Sequence, residues 1–171
     1  MNRSTIFLFL PAALLVMGGV PVSAGPAGFD TSETDAINGV VTKFDQAVNA
    51  RDARALGALF AEDGEFTNPV GTSLKGRLEI ERFHAALFSE ANRPSFAHAH
   101  LTVLGATIRF VRKDVATVDV RWEQTGAIAP DGKLWGTRKG ILSWVVTRTN
   151  GLWRIEVWHN VELPASPSLR Q

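Results

Sequence analysis

The apolar pattern of this chain changes period once, and the change falls at Pro94. Upstream, within residues 30–50, Ile37, Val40, Val41, Phe44 and Val48 recur at helical spacing, with Asp30, Thr31 and Ser32 available as N-caps. Asp52 can cap a second, short helix that turns Leu56, Leu59 and Phe60 inward, while Asn49 and Arg51 shape the turn before it. Residues 62–66 read as a brief strand and Asn68-Pro69-Val70-Gly71 as a turn. A third helix opens near Gly76 and ends before Asn92-Arg93-Pro94. Downstream, residues 98–112, 115–126, 134–148 and 152–161 are rich in Val, Ile, Thr, Trp and Phe, with turn signals between them. Asn150-Gly151 between two apolar runs specifies a hairpin, so the last two strands are antiparallel neighbours. Helices first and a meander last predict an α+β domain over residues 30–162, with a curved antiparallel sheet packed on three N-terminal helices.

Residues 1–24 stand apart from that domain. Met1-Asn2-Arg3 is a short positive start, an apolar run follows, and Val22-Ser23-Ala24 has the small residues that a signal peptidase requires. A membrane-spanning helix needs about 20 uninterrupted apolar residues, and Pro11 with Gly18-Gly19 argues against one. The expectation is a secretory signal cleaved near Ala24 and a secreted or periplasmic product. Residues 163–171, with Pro164 and Pro167, are expected to form a flexible tail.

The chain contains no cysteine, which excludes a disulfide framework, a thiol nucleophile, a thiolate metal site and a lipoprotein anchor. Arg3 is the single charged residue of the leader, so the formal charge of +1 becomes zero without it. Nothing in that balance points to nucleic acid or an anionic membrane as a partner.

Strand alternation assigns faces. Ala116, Val118, Val120 and Trp122 point one way; Thr117, Asp119, Arg121 and Glu123 point the other. On the last strand Trp153, Ile155, Val157 and His159 share a face, opposite Arg154, Glu156, Trp158 and Asn160. The mixed face, with Arg154, Glu156 and Trp158, suits either solvent or a wet dimer interface. In the third helix, Ile80, Phe83, Leu87 and Phe88 form a stripe whose one gap is filled by His84.

Three segments, "FDQAVNARDARALGALFAEDGEF", "KGRLEIERFHAALF" and "GLWRIEVWHN", together with the element order, resemble the SnoaL-like branch of the nuclear transport factor 2-like superfamily, closest to its SgcJ/EcaC group. The resemblance implies a cone-shaped, cystatin-like α+β roll enclosing an apolar pocket, and a homodimer formed through the outer sheet face. It does not imply one reaction, because the superfamily includes isomerases, cyclases, dehydratases and members that only bind or assemble.

A pocket enzyme of this kind needs a proton-transferring group in an apolar cavity and a polar partner to orient it. Asp63, His84 and His159 are the candidate catalytic residues, and Phe44, Phe60, Phe83, Trp122 and Asn160 the expected ligand contacts. Against this stands the plainer reading of each: His84 as a satisfied core histidine, Asp63 as a turn cap, the tryptophans as core. The chain has no tyrosine, which argues against the steroid isomerase branch and its tyrosine oxyanion donor. Asp119 and Arg121 lie on the face away from Trp122, which weakens an epoxide hydrolase arrangement. His98-Ala99-His100 is a weak metal pair without a third ligand, and no Gly-rich loop joins a strand to a helix, so neither metal nor cofactor is expected. Two readings stay open: a small-molecule enzyme using His/Asp acid-base chemistry, and a non-catalytic ligand-binding or assembly module.

Overall fold

A computed structural model describes residues 31–89, 91, 94–129 and 131–164. The expected leader at 1–24 and most of the expected tail lie outside the described residues.

Two helices come first, α1 (Thr31–Ala50) and α2 (Ala53–Gly57). Between them Arg51 adopts a left-handed φ of 59°, and Asp52 caps α2 by accepting from the Ala55 N–H at 2.8 Å. Then follow β1 (Phe60–Thr67), β2 (Ser73–Lys75), α3 (Arg77–Phe88), the short α4 (Pro94–Ala97), and the strands β3 (His100–Arg112), β4 (Val115–Thr125), β5 (Arg138–Thr149) and β6 (Leu152–Glu162). The four long strands form the expected meander. Asn150 and Gly151 both have positive φ, 53° and 77°, the conformation of a two-residue turn matched to strand twist.

The sheet order is β2-β1-β6-β5-β4-β3. The α+β roll holds, with one correction: the sheet is mixed, because β1 runs parallel to β6. It is also open, with β2 and β3 as its two edges. The brief strand predicted after α2 becomes the joint between the helical layer and the last strand of the meander.

One face of the sheet packs on α1 and α3. Ile37, Val40, Val41 and Phe44 of α1 are buried against Val118, Leu142, Trp144 and Val146. An aromatic cluster closes the centre: Phe44 stands edge-on to Trp144 and Trp158 at 5.4 and 5.1 Å, and Phe60 stacks on Trp158 at 5.6 Å. The indole N–H groups of Trp144 and Trp158 are buried there without an acceptor among the described residues.

The largest departure from the sequence-based expectation is in β6. Val157 pairs with Val145, but Ile155 pairs with Val146, so Glu156 is an extra residue and forms a β-bulge. A single added residue reverses which side chains face inward. Trp153 and Ile155 point into the fold as expected, and beyond the bulge it is Trp158, not His159, that is buried. Trp158 therefore belongs to the core rather than to the outer face.

Candidate functional site

Helix α3 begins after Gly76, whose φ of 91° suits only a residue without a β-carbon, and lies with Ile80 and His84 toward the sheet. Between α1, α3 and the inner sheet face a cavity of about 400 Å³ remains. Phe44, Phe66, Leu142 and Trp158 line its apolar interior; the loop at Asn68–Thr72, Phe96 and Trp135 line its mouth. The mouth loop is held by Asn68, whose Oδ1 accepts from Val70 N at 3.1 Å and Thr72 N at 2.8 Å.

Among the described residues His84 is the buried titratable group, with 6% of its surface exposed. Three rings surround it: Phe66 at 5.0 Å, Phe83 at 5.2 Å and Phe88 at 5.8 Å. Its Nδ1 lies 2.8 Å from the Ile80 carbonyl oxygen. A carbonyl only accepts, so Nδ1 carries the proton and Nε2 the lone pair. Burial lowers its pKa from 6.5 to about 4, with the Ile80 hydrogen bond acting in the opposite direction. The imidazole is therefore neutral near pH 7.

Of the expected ligand contacts, Phe44, Phe83, Trp122 and Asn160 line the cavity. Phe60 does not; it is fully buried behind Trp158. Trp122 Nε1 donates to Asn160 Oδ1 at 3.2 Å. Among the three expected catalytic residues only His84 reaches the cavity. Asp63 is exposed on β1, where strand alternation turns it away from the helices, and His159 is exposed because of the bulge at Glu156. The anticipated His/Asp pair is thus not assembled, and among the described residues no carboxylate lines the cavity. His98 and His100 both lie exposed before and at the start of β3, with Ala99 buried between them.

Sequence reasoning missed the polar frame of the mouth. Arg138 donates through Nε to Glu162 at 2.8 Å and through NH1 to Gln124 at 2.8 Å, and its guanidinium lies over the Trp135 and Phe96 rings at 4.3 and 5.5 Å. Gln124 and Arg138 are direct cross-strand partners, a pairing that follows from the β4–β5 register rather than from any local motif. Arg51 also does more than shape a turn. It donates to the carbonyl oxygens of Val48, Asn49 and Ala97 at 2.9 Å each and to that of Ala99, fastening the α1–α2 corner to the segment entering β3. Asn49 completes the fastening by exchanging two hydrogen bonds with the Leu101 backbone, at 2.8 and 3.0 Å.

The SnoaL-like domain family matches residues 30–159, three quarters of the chain and every element up to the last residues of β6. The chain belongs to the SnoaL-like domain family. Among solved structures, this SnoaL-like domain is similar to a protein with a cystatin-like fold from Caulobacter vibrioides, at 23% identity and TM-score 0.69, over 77% of this chain and 90% of that one. A domain of unknown function with a cystatin-like fold from Nostoc punctiforme shares 26% identity, TM-score 0.66, over 80% and 81%. A protein from Novosphingobium aromaticivorans provisionally assigned as a scytalone dehydratase shares 16% identity, TM-score 0.63, over 78% and 85%. No curated protein matches the chain. At these identities the structures establish the fold of the SnoaL-like domain, and its chemistry rests on its own cavity.

Proposed function

We propose that this SnoaL-like domain binds a small hydrophobic molecule in the cavity between α1, α3 and the sheet. One observation carries the reading: a cavity of about 400 Å³ lined mainly by aromatic and aliphatic side chains, with a few polar groups converging on it. The test is a thermal melt with naphthalene as an apolar probe. Binding raises the melting temperature of the native protein, and a Leu87→Trp variant, which fills the cavity, loses that rise while remaining folded. No rise in the native protein would sink the proposal.

A second reading, acid-base catalysis of the isomerase, cyclase or dehydratase type, is favoured by the tautomer of His84. With Nδ1 occupied by Ile80, Nε2 is the basic nitrogen, and it belongs to a side chain lining the cavity. The Asp63 and His159 roles fall away with their exposure. The three sequence segments also support placement near the SgcJ/EcaC group.

Export and pairing belong to the same proposal. The leader composition supports cleavage near Ala24 and a secreted or periplasmic domain, tested by the N-terminal sequence of the exported protein. Half-buried Ile141, Val145 and Val157 on the outer sheet face support a homodimer, tested by light scattering of the mature protein.

A further inference from the structure

Which polar atoms the cavity offers follows from what the neighbouring groups can and cannot do. Trp122 Nε1 points at the side-chain oxygen of Asn160, 3.2 Å away. An indole only donates, so Asn160 must turn its oxygen toward Trp122 and its Nδ2 hydrogens elsewhere. Gln124 is oriented by the same logic: Arg138 NH1 lies 2.8 Å from its Oε1, and a guanidinium only donates. The usual ambiguity of amide orientation is thereby removed at both positions.

Arg138 is itself held in place. Glu162 accepts from its Nε and NH2, and two rings cover its guanidinium. Both amide nitrogens, Asn160 Nδ2 and Gln124 Nε2, lack an acceptor among the described residues, and both side chains line the cavity. The sheet wall therefore offers two N–H donors. The α3 wall offers the opposite polarity, because His84 Nδ1 is spent on Ile80 and Nε2 keeps its lone pair.

Charge narrows the choice further. Among the described residues two cationic side chains line the cavity: Arg138 is paired with Glu162, and Arg51 directs four of its N–H groups at backbone carbonyls. The amides themselves carry no charge, so the acceptor oxygens that suit them are neutral ones.

We infer that Asn160 and Gln124 are the specificity-determining residues of the cavity, each offering a separate N–H donor to a neutral oxygen of a flat apolar ligand that carries a carbonyl and a hydroxyl, and that His84 Nε2 accepts from the hydroxyl. The inference rests on the cavity being a ligand site and adds the polarity that the ligand must carry. The guanidinium of Arg138 is a positioning group for Gln124, as the indole of Trp122 is for Asn160.

The experiment is a titration of the full-length protein by calorimetry with four probes: naphthalene, 6-acetyl-2-naphthol, 2-acetyl-6-methoxynaphthalene and 6-hydroxy-2-naphthoate. The acetylnaphthol is expected to bind at least tenfold more tightly than naphthalene, since each good hydrogen bond contributes on the order of tenfold. Its methyl ether, unable to donate to His84, binds more weakly than the naphthol, and the carboxylate binds more weakly still. Asn160→Asp and Gln124→Glu keep their donor partners satisfied while replacing the amide hydrogens with an acceptor. Each should cost the acetylnaphthol about tenfold more than it costs naphthalene. His84→Phe should erase the difference between naphthol and ether alone. If naphthalene binds but the acetylnaphthol gains nothing, or the carboxylate binds best, the polarity assignment is overturned while the cavity reading stands. If no probe binds, the cavity reading falls and takes the assignment with it.

Discussion

Titration from pH 7 to pH 5 charges His84 in the unfolded chain well before it charges His84 in the folded one. The folded value is lowered from 6.5 to about 4 by burial among Phe66, Phe83 and Phe88. Between those two values the unfolded state binds the extra proton, so stability is fully present above pH 6.5 and declines as pH falls toward 4. The two values differ by about 3 kcal/mol in free energy once both states are protonated, and about 2 kcal/mol of that is lost between pH 7 and pH 5. No carboxylate among the described residues lines the cavity to rescue the imidazolium. The perturbation that isolates this term is His84→Phe, which removes the titration and keeps a ring at the site. The Ile80 carbonyl, where the Nδ1–H bond is lost, still has the backbone partner of any helix interior. Urea unfolding of both proteins across this pH range reads the difference directly. The native protein should lose about 2 kcal/mol more than the variant between pH 7 and pH 5, equivalent to roughly 8 °C in melting temperature for a domain of this size. Parallel curves for the two proteins would refute the reasoning, because the buried imidazole would then titrate alike in both states.

Other perturbations test the frame around the cavity. Gly140 faces Trp122 across the β4–β5 ladder, and a β-carbon there would meet Trp122 Cζ2 at 2.3 Å and Val161 O at 2.5 Å. Gly140→Ala should cost about 1 to 3 kcal/mol in urea unfolding and weaken probe binding by displacing the indole. Arg51→Met strips the carbonyls of Val48, Asn49, Ala97 and Ala99 of a donor; a loss of about 2 to 4 kcal/mol is expected, with hydrogen exchange rising first at the start of β3. Gly151→Val forces a β-branched residue to a φ of 77° and should cost about 1 to 3 kcal/mol, read by thermal melting, with little effect on naphthalene affinity.

Local features were legible in the sequence wherever a local rule decided them. The helical stripe with its histidine, the cap at Asp52 and the Asn150-Gly151 hairpin all appear where their residue chemistry requires. The parallel pairing of β1 with β6 was not legible, because it joins segments almost a hundred residues apart and no turn links them. His159 was misplaced for a different reason: alternation counts residues, and the bulge at Glu156 adds one to the count without any glycine or proline to announce it. Gln124, Arg138 and Glu162 became a unit only once the strand register brought them side by side.

That bulge gives the cavity wall an unusual economy of change. Downstream of Glu156 the strand carries two interleaved alphabets, one reading Trp158 and Asn160, the other Val157, His159 and Val161. Only the first currently faces the ligand space. Drawing Glu156 into the ladder with no residue lost would exchange them wholesale, trading an indole and an amide for an imidazole flanked by valines, whereas deleting Glu156 would leave Trp158 opposite Trp144 and the wall unchanged. The polarity of this wall is therefore set by register rather than by composition, and straightening the bulge would alter it more than several substitutions.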